Sequence, residues 1–400
     1  MRVLFHVQYL LGIGHLQRSL RIAEALVEAG VAVTLVQGGP PVPELARARG
    51  IEIVQLPPIR ARDATFALVD AAGEPLGDAL RAARRDRLLA AFADAKPGAV
   101  VVEGFPFARR AFRFELDPLI AAAKAAGVPV VSSVRDIPTV RADPARLAEI
   151  VARVRNDFAG VLVHGDPGFI PFDAAFPAAP EIAGRLHYTG YVASDGPRAS
   201  RPPNDAELAA ETAAVREGEV LVSVGGGAAG RALVLAALAA RRQGCFAERG
   251  WRILAGASVG DGELAALRAA APPGVALERF RTDFAALLRD CHVSVSQAGY
   301  NTVLDLLAAR VPAVLVPFAA ERETEQTIRA EHLASRGAAV LLRESELAPA
   351  SLAAAIETAA ARDPAPLALD VDGARRSAVL IREIMVSSAD DVSAARRSGD

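Results

Sequence analysis

The chain has 400 residues, more than one hydrophobic core usually holds, so two domains of roughly 180 to 200 residues each are expected. Hydrophobic residues make up 52% of the chain and charged residues 23%, and the formal net charge is −2. This composition excludes a disordered protein and a broadly basic protein that binds nucleic acid. The two cysteines, Cys245 and Cys291, show neither a disulfide pattern nor metal-ligand spacing, which favours a reducing cytoplasm.

The first residues, MRVLFHVQYLLGIGH, form an apolar run that His6 and Gln8 interrupt. The run is short and has no cleavage site, so it is predicted to be a core strand and not a signal peptide. No segment approaches the ~20 apolar residues of a membrane-spanning helix. We therefore expect a cytoplasmic protein, with peripheral attachment to the inner membrane as an alternative.

Strands alternate with helices along the first half of the chain. Strands are predicted at 2–7, 31–36, 51–56, 99–102, 128–134 and 160–163, and a helix at 15–29. A second helix, at 78–97, carries four arginines that are predicted to lie on a solvated face, with contact to anionic lipid as the alternative. This alternation predicts a parallel sheet that helices cover on both faces.

The stretch ASDGPRASRPP, at 193–203, has no periodicity and much Pro, Gly and Ser, as interdomain linkers do. Strands resume at 220–224, 252–255, 275–277, 293–295, 313–316 and 339–342. The predicted fold is therefore α/β, with two Rossmann-like, doubly wound parallel-sheet domains. The domains are placed at 1–193 and 207–386, with a linker at 194–206 and a disordered tail at 387–400.

Asp370-Val371-Asp372 has the form of a metal-binding acidic pair. No buried strand precedes it, and the surrounding sequence is rich in Ala and Pro. A turn is the better interpretation, so no metal site is assigned.

A glycine-rich loop, Ser223-Val224-Gly225-Gly226-Gly227, connects a strand to a helix predicted at 231–241. Glycines let backbone amides approach a ligand, and the helix behind them favours negative charge, so a phosphate is the expected ligand. The spacing matches neither a dinucleotide fingerprint nor an NTPase phosphate loop, which counts against dehydrogenases and ATPases. The alternative is a turn that needs glycine for close packing.

The polar turn from Ser296 to Gly299 lies between a buried strand and a helix, at the sheet edge where ligands bind in open α/β folds. Asp305, one helical turn beyond Thr302, is placed to accept hydrogen bonds from ribose hydroxyls, or simply to complement the helix dipole. Polar residues also follow the next strand. Glu323, Glu325 and Gln326 are suited to sugar hydroxyls, although a helix cap would look similar.

The first domain has the same arrangement at Gly12-Ile13-Gly14-His15, where an imidazole stands at a helix start after the first strand. Histidine is suited to accept a proton near neutral pH, so a base is predicted, although a lone histidine is more often structural. Four more polar residues follow strands of the first sheet and are expected to line the same site: Glu103, Arg135, Asp136 and His164. The last of these is equally consistent with a packing role.

The segment from Ser296 to Asp305, SQAGYNTVLD, resembles the Ser/His-x-x-Gly-x-x-Thr/Ser-x-x-Glu donor motif of glycosyltransferase family 28, in particular its MurG-like branch. In that family the acid binds the nucleotide ribose, and here the shorter Asp305 takes its place. The resemblance implies that Glu325-Gln326 replaces a Gln-Gln pair that contacts the donor sugar. It also implies donor-binding roles for Ser223, Gly225, Gly226 and Gly227 at the diphosphate, for Arg279 and Phe280 at the nucleobase, and for Ser296, Gly299, Asn301 and Thr302.

The amino-terminal segment GIGHLQR, from Gly12 to Arg18, is more similar to the Gly-x-Gly-His-x-x-Arg loop of a related UDP-sugar hydrolase from pseudaminic acid synthesis. The segments EGFPFARR, at 103–110, and VRDIP, at 134–138, are similar to a poorly characterised branch of predicted bacterial glycosyltransferases.

These resemblances imply a GT-B fold, with two domains facing each other across a cleft, and an inverting, metal-independent transfer of sugar from a nucleotide-diphosphate, UDP-linked donor. The second domain would hold the donor. In the first domain His15 would be the base, or else an electrostatic partner of the diphosphate. The acceptor would be positioned by Gly12, Gly14, Arg18, Glu103, Arg135 and Asp136. No cofactor beyond the nucleotide-sugar co-substrate and no nucleic-acid partner is expected.

Two alternatives stay open, a UDP-sugar hydrolase of the same fold and a non-catalytic protein that binds nucleotide sugars. The sequence identifies neither the sugar nor the acceptor, and it leaves the oligomeric state open.

Overall fold

The computed structural model describes residues 1–10, 13–42, 50–62, 67–138, 143–193, 218–225, 230–256, 259–279, 281, 283–318 and 324–397, with side chains described as far as residue 388. The chain divides into two compact units. One comprises Met1–Val192 with Leu369–Asp400, and the other comprises Ala193–Ala368. The predicted linker at 194–206 lies outside the described residues.

The first unit alternates strands and helices. It contains β1 (Arg2–Val7), α1 (Gly14–Glu28), β2 (Ala32–Gln37), β3 (Ile51–Gln55), the short β4 (Arg60–Ala61) and β5 (Leu68–Val69), α2 (Asp78–Ala95), β6 (Ala99–Glu103), α3 (Arg113–Ala125), β7 (Val130–Arg135), α4 (Pro144–Asp157), β8 (Gly160–His164) and β9 (Leu186–Tyr188). The six strands predicted for this half are present, each within two residues of its expected bounds.

Seven of these strands form one parallel sheet, in the order β3-β2-β1-β6-β7-β8-β9. The strand interiors are continuous apolar runs, such as Val3, Leu4 and Phe5, which are fully buried because helices cover both faces. The order of strands reverses between β1 and β6, which pair directly. The loops that follow these two strands therefore leave the sheet side by side, at the position where doubly wound folds bind ligands.

The second unit repeats this architecture. It contains β10 (Val220–Ser223), α5 (Arg231–Arg242), β11 (Trp251–Leu254), α6 (Asp261–Ala269), β12 (Val275–Glu278), α7 (Phe284–Asp290), β13 (Val293–Ser296), α8 (Tyr300–Ala309), β14 (Ala313–Leu315), α9 (Glu325–Ser335), β15 (Val340–Leu341) and α10 (Pro349–Ala360). The parallel sheet has the order β12-β11-β10-β13-β14-β15, and it reverses between β10 and β13. Two parallel sheets in an α/β chain confirm the predicted fold class.

The last helix, α11 (Gly373–Arg397), belongs to the first unit. Its Ala378, Ile381 and Met385 are buried in the core that β1 and α1 build. These positions are three and four residues apart, so they form one apolar helix face, and burying that face holds the helix on the first unit. The structure thus differs from the predicted second domain at 207–386, and the helix extends into the predicted disordered tail at 387–400.

Arg84 of α2 is fully buried, although the sequence places it among the arginines of a predicted solvated face. Its Nε and Nη2 donate to the carboxylate of Glu115 at 2.8 and 2.7 Å, and its Nη1 donates to the carbonyl of Gly38 at 2.9 Å. A charge is tolerated in a protein core when it is paired and hydrogen-bonded in this way. The pair fastens α2 to α3 and to the end of β2.

Within the part of the chain that the structure describes, no helix is long and apolar enough to cross a membrane.

Candidate functional site

His15 and Glu103 meet at the point where the first sheet reverses its strand order. His15 is the second residue of α1, and Glu103 is the last residue of β6. The imidazole Nδ1 lies 2.6 Å from Oε1 of Glu103. The carboxylate is buried, at 1% exposure, whereas the imidazole keeps 24% of its surface exposed. The pair is therefore anchored on the protein side and accessible on the imidazole side.

The protonation of this pair follows from its surroundings. Burial, with smaller contributions from Arg109 and Arg18, outweighs the attraction of Glu103 and lowers the pKa of His15 to about 4. Burial also disfavours the charged form of Glu103, but His15, Arg18 and Arg109 outweigh that effect and hold its pKa well below the usual range. A carboxylate can only accept hydrogen bonds, so Nδ1 of His15 carries the proton and donates it. Nε2 is then the nitrogen with a free lone pair.

Two arginines complete the surroundings of Glu103. Nη2 of Arg18 donates to the same Oε1 at 2.5 Å, and it lies 3.3 Å from Nδ1 of His15. Arg18 is one turn along α1 from His15, so both side chains project from the same helix face. Nη2 of Arg109 lies 3.9 Å from the other carboxylate oxygen, Oε2. The structure thus brings together three predicted residues, His15, Arg18 and Glu103, and adds Arg109.

The other predicted residues of the first unit are placed differently. Arg135 is the half-buried last residue of β7 and lies close enough to influence the pKa of Arg109. Asp136 is fully buried, and its carboxylate accepts from the hydroxyl of Tyr191 at 3.0 Å and from the amide of Ile137 at 2.9 Å. Its observed contacts are structural, so its predicted acceptor role stays a prediction. Gly14 is the first residue of α1, and Gly12 lies outside the described residues.

His164 takes the packing role that was one of its two interpretations. It is fully buried, with Nε2 at 2.7 Å from the hydroxyl of Ser133 and Nδ1 at 2.9 Å from the hydroxyl of Thr189. Burial and the charge of Arg18 lower its pKa well below the ordinary value, so it stays neutral. The imidazole holds β7 and the end of β9 together.

In the second unit, the loop after β10 and the turn after β13 are joined by a side chain. The amide of Gly225 donates to Oε1 of Gln297 at 3.0 Å. Ser223 is the buried last residue of β10, and Ser296 is the buried last residue of β13. Gly226 and Gly227 lie outside the described residues. The structure therefore brings the described end of the predicted diphosphate loop to the donor turn, through a glutamine that was not predicted as a site residue.

Gly256 lets the loop after β11 approach the same position. Its φ is 97°, in the left-handed region, and a Cβ there would lie 2.9 Å from the carbonyl oxygen of Gly225. The residue must therefore be glycine for two reasons, its backbone conformation and the space around it. Arg279 fastens this loop, because its Nε donates to the carbonyl of Val259 at 3.0 Å and its Nη2 to Asp261 at 2.5 Å. Its predicted neighbour at the nucleobase, Phe280, lies outside the described residues.

The predicted donor helix is α8. Gly299 is its N-cap residue in an extended conformation, and Asn301, Thr302 and Asp305 are half-buried along its first two turns. No aspartate or glutamate lies in the first turn, so the positive end of the helix dipole is left to a ligand or solvent. These positions are compatible with the predicted contact to a nucleotide.

Glu325 and Gln326 open α9, and both already have partners. Oε1 of Glu325 lies 2.9 Å from Nη2 of Arg329, and both side chains are nearly fully buried. Arg329 also donates to the carbonyl of Ala298 at 2.9 Å, within the turn that follows β13. Oε1 of Gln326 accepts from the amide of Phe318 at 3.1 Å. Glu325 therefore supports the turn through Arg329, and contact with the donor sugar stays a prediction. Glu323 lies outside the described residues.

Residues 221–375 match the model of the glycosyltransferase family 28 C-terminal domain. Curated relatives match a shorter segment. A UDP-N-acetylglucosamine--N-acetylmuramyl-(pentapeptide) pyrophosphoryl-undecaprenol N-acetylglucosamine transferase of Xanthomonas axonopodis pv. citri is 40% identical over 103 residues, which are 26% of this chain and 24% of the relative. The protein of the same name from Methylibium petroleiphilum is 41% identical over 85 residues, 21% of this chain and 23% of the relative. The match thus spans about a quarter of these relatives' length.

Solved structures match almost the whole chain, at low sequence identity. The calicheamicin glycosyltransferase CalG4 is 20% identical with a TM-score of 0.59, and the match covers 98% of this chain and 97% of that one. MurG of Acinetobacter baumannii is 19% identical with a TM-score of 0.58, and 94% of each chain is covered. This protein therefore has the fold of the GT-B glycosyltransferases, and its residues 221–375 are similar to the C-terminal domain of glycosyltransferase family 28.

Proposed function

We propose that this protein is an inverting, metal-independent glycosyltransferase that moves a sugar from a UDP-linked donor to the hydroxyl of an acceptor. The observation that carries the proposal is the His15–Glu103 pair, with Nδ1 and Oε1 2.6 Å apart at the switch point of the first sheet. The match of residues 221–375 to family 28 supports the assignment of the donor to the second unit.

In the proposed reaction, His15 acts as the general base. The acceptor oxygen forms a bond to the anomeric carbon. At the same time the bond between that carbon and the diphosphate oxygen breaks, and the electron pair of the broken bond stays on the diphosphate. The hydroxyl proton moves to Nε2 of His15. Glu103 holds the imidazole through Nδ1 and stabilises the imidazolium that forms, as a carboxylate does beside a catalytic histidine.

In the second unit, the donor would bind along the loops after β10 and β13. The helix start behind Gly299 and the backbone of the glycine loop would stabilise the negative charge that develops on the departing diphosphate. Asp305 would accept hydrogen bonds from the ribose hydroxyls. No step in this scheme is assigned to a metal ion.

The rival activity is hydrolysis of the same UDP-sugar, which the similarity of residues 12–18 to a hydrolase loop favours. Purified protein is incubated with a panel of UDP-sugars, with and without extracts that contain candidate acceptors. The transferase predicts UDP release that depends on an extract and a glycosylated product in the mass spectrum. Rapid, stoichiometric release of free sugar without an acceptor would assign the protein as a hydrolase. If UDP binds but no extract supports turnover, the remaining interpretation is a non-catalytic protein that binds nucleotide sugars.

A further inference from the structure

Arg109 lies on the loop that follows β6, and this loop turns back towards the end of that strand. The φ angles are 78° at Gly104 and 61° at Arg109. The amide of Ala108 donates to the carbonyl of Gly104 at 2.6 Å, and that of Phe112 to the carbonyl of Arg109 at 2.9 Å. The left-handed conformation disfavours every L-residue with a large side chain. The turn at Arg109 nevertheless brings its guanidinium to within 3.9 Å of the carboxylate of Glu103.

The guanidinium of Arg109 has hydrogen-bond donors that the described residues do not use. Its side chain is 12% exposed, and the closest carboxylate oxygen, Oε2 of Glu103, is 3.9 Å away, beyond hydrogen-bond distance. Nε is buried, and within the described ranges it has no hydrogen-bond partner. Among the same residues the two terminal nitrogens make no hydrogen bond either. An arginine that is largely withdrawn from water in this way is stabilised by an anion that accepts from it.

The neighbouring charges favour the same conclusion. Burial lowers the pKa of Arg109, the like charges of Arg135 and Arg18 lower it further, and Glu103 alone opposes them. Oε1 of Glu103 already accepts from His15 and Arg18. One carboxylate is thus shared by a histidine and two arginines. Arg109 faces only its second oxygen, Oε2, which lies beyond hydrogen-bond distance.

We propose that Arg109 binds an anionic group of the acceptor, a carboxylate or a phosphate, beside the hydroxyl that His15 deprotonates. The guanidinium fork matches either group with two parallel hydrogen bonds. The inference rests on the proposed function in that it assigns the anion to an acceptor. Binding of the anion itself requires no turnover. The anion can be carried by a soluble sugar acid or sugar phosphate, or by a lipid headgroup, because the chemistry recognised is the same.

The competing explanation is that Arg109 only orients Glu103. The two are separated by following the ring resonances of His15 by NMR, assigned with a His15→Gln variant, while inorganic phosphate or acetate is added at constant ionic strength. Phosphate bound at Arg109 moves the His15 resonances in a saturable way. A response to phosphate bound elsewhere is recognised because it survives the substitution of Arg109.

In Arg109→Gln the phosphate dissociation constant is expected to rise at least tenfold. Arg109→Lys keeps the charge but not the planar guanidinium, so its dissociation constant should lie between those of the wild type and Arg109→Gln. Arg146→Gln is the matched control. Arg146 is also 12% exposed, but it is fully engaged, with Nη1 bonded to Glu149 at 2.9 Å and Nη2 to the carbonyl of Pro106 at 2.8 Å. Since Pro106 belongs to the same loop, this control also reports any general loosening of the loop.

Arg109→Gly keeps the test decisive if other variants fold poorly, since glycine adopts the left-handed conformation without strain. It is expected to melt no lower than the wild type and to lose the phosphate response. A saturable response that Arg109→Gln and Arg109→Gly retain, or that Arg146→Gln loses to the same degree, would overturn the proposal. So would a wild-type protein whose His15 resonances respond to neither anion. None of these results bears on turnover of UDP-sugars, so the proposed function is judged separately.

The source of the anion is resolved in a second arm, with vesicles of phosphatidylcholine containing one part in five of phosphatidic acid. Sedimentation of the wild type with these vesicles, lost in Arg109→Gln and absent with phosphatidylcholine alone, assigns the site to a headgroup. A phosphate response without sedimentation assigns it to a soluble acceptor.

Discussion

Nδ1 of His15 lies 2.6 Å from Oε1 of Glu103, although 88 positions separate the two residues in the chain. The distance is short because β1 and β6 are neighbours in the sheet, Glu103 ends β6, and His15 lies at the start of the helix that follows β1. Replacing His15 by alanine is expected to reduce turnover by about 10²- to 10⁴-fold, the usual contribution of a general base. UDP affinity, measured by calorimetry, should stay unchanged.

A matched control is His332→Gln, which alters a histidine of the second unit that contacts Arg336. It should turn over UDP-sugar at the wild-type rate. Full activity in a folded His15→Ala variant would remove the base role, whereas a loss of UDP affinity in that variant would favour the electrostatic alternative.

The pH dependence of kcat/KM should have its acid limb near pH 4. His15 is the base only when neutral, and burial with Arg109 and Arg18 lowers its pKa to about 4, against the attraction of Glu103. Activity is therefore present above that pH and is lost as the pH falls through it. In Arg109→Gln the limb should move upward, because one of the charges that disfavour the imidazolium is gone. A wild-type limb near the ordinary histidine value, at about pH 6.5, would contradict this assignment.

Asp305→Ala is expected to weaken UDP binding by about 1 to 3 kcal/mol, the usual loss for a hydrogen-bonded polar anchor. Asp305 is half-buried on α8, so the substitution leaves the core intact. Glu357→Ala, at an exposed position of α10, serves as the control. Calorimetric titration with UDP checks both, and an unchanged affinity in a folded Asp305→Ala variant would end the ribose role.

Gly256→Ala should lower the free energy of unfolding by about 1 to 3 kcal/mol, since alanine is strained at a φ of 97°. Its Cβ would also press on the carbonyl of Gly225 and displace the loop that is proposed to hold the diphosphate, so UDP affinity should fall too. Gly260→Ala is the matched control, because that position has an extended conformation and nothing within 4 Å of an added Cβ. Equal stability of the two variants in urea would contradict the prediction.

Glu325→Ala should lower the stability of the protein, whether or not it also changes the preference among UDP-sugars. It would leave the buried guanidinium of Arg329 without its carboxylate, at a loss of about 3 kcal/mol in the free energy of unfolding. Glu325→Gln keeps a hydrogen-bond acceptor and should lose less. If instead Glu325→Gln unfolds like the wild type and changes only the preference among UDP-sugars, the side chain contacts the sugar.

Most of the fold could be predicted, because buried parallel strands have a clear apolar pattern and the helices between them have glycines at their ends. The predicted strand ends placed His15 and Glu103 in one candidate site and Gly225 and Gly299 in the other, and the observed strand order puts β1 beside β6 and β10 beside β13.

Individual side-chain pairings could not be predicted in this way. The burial of Arg84 depends on the packing of α2 against α3, and the contact of Arg109 with Glu103 depends on how the loop after β6 folds back on that strand. Gln297 stood inside a recognised motif, but the motif says nothing about which amide its side chain accepts from.

The return of α11 to the first unit has a practical consequence for dissecting the protein. Because Ile381 and Met385 fill a core made of residues between Val3 and Val192, a protein cut after residue 368 is expected to expose that core and to aggregate. The second unit is in effect an insertion between residues 192 and 369. The first unit is therefore best expressed with those two positions joined by a short Gly/Ser segment, and the excised insert can then be tested alone for UDP binding.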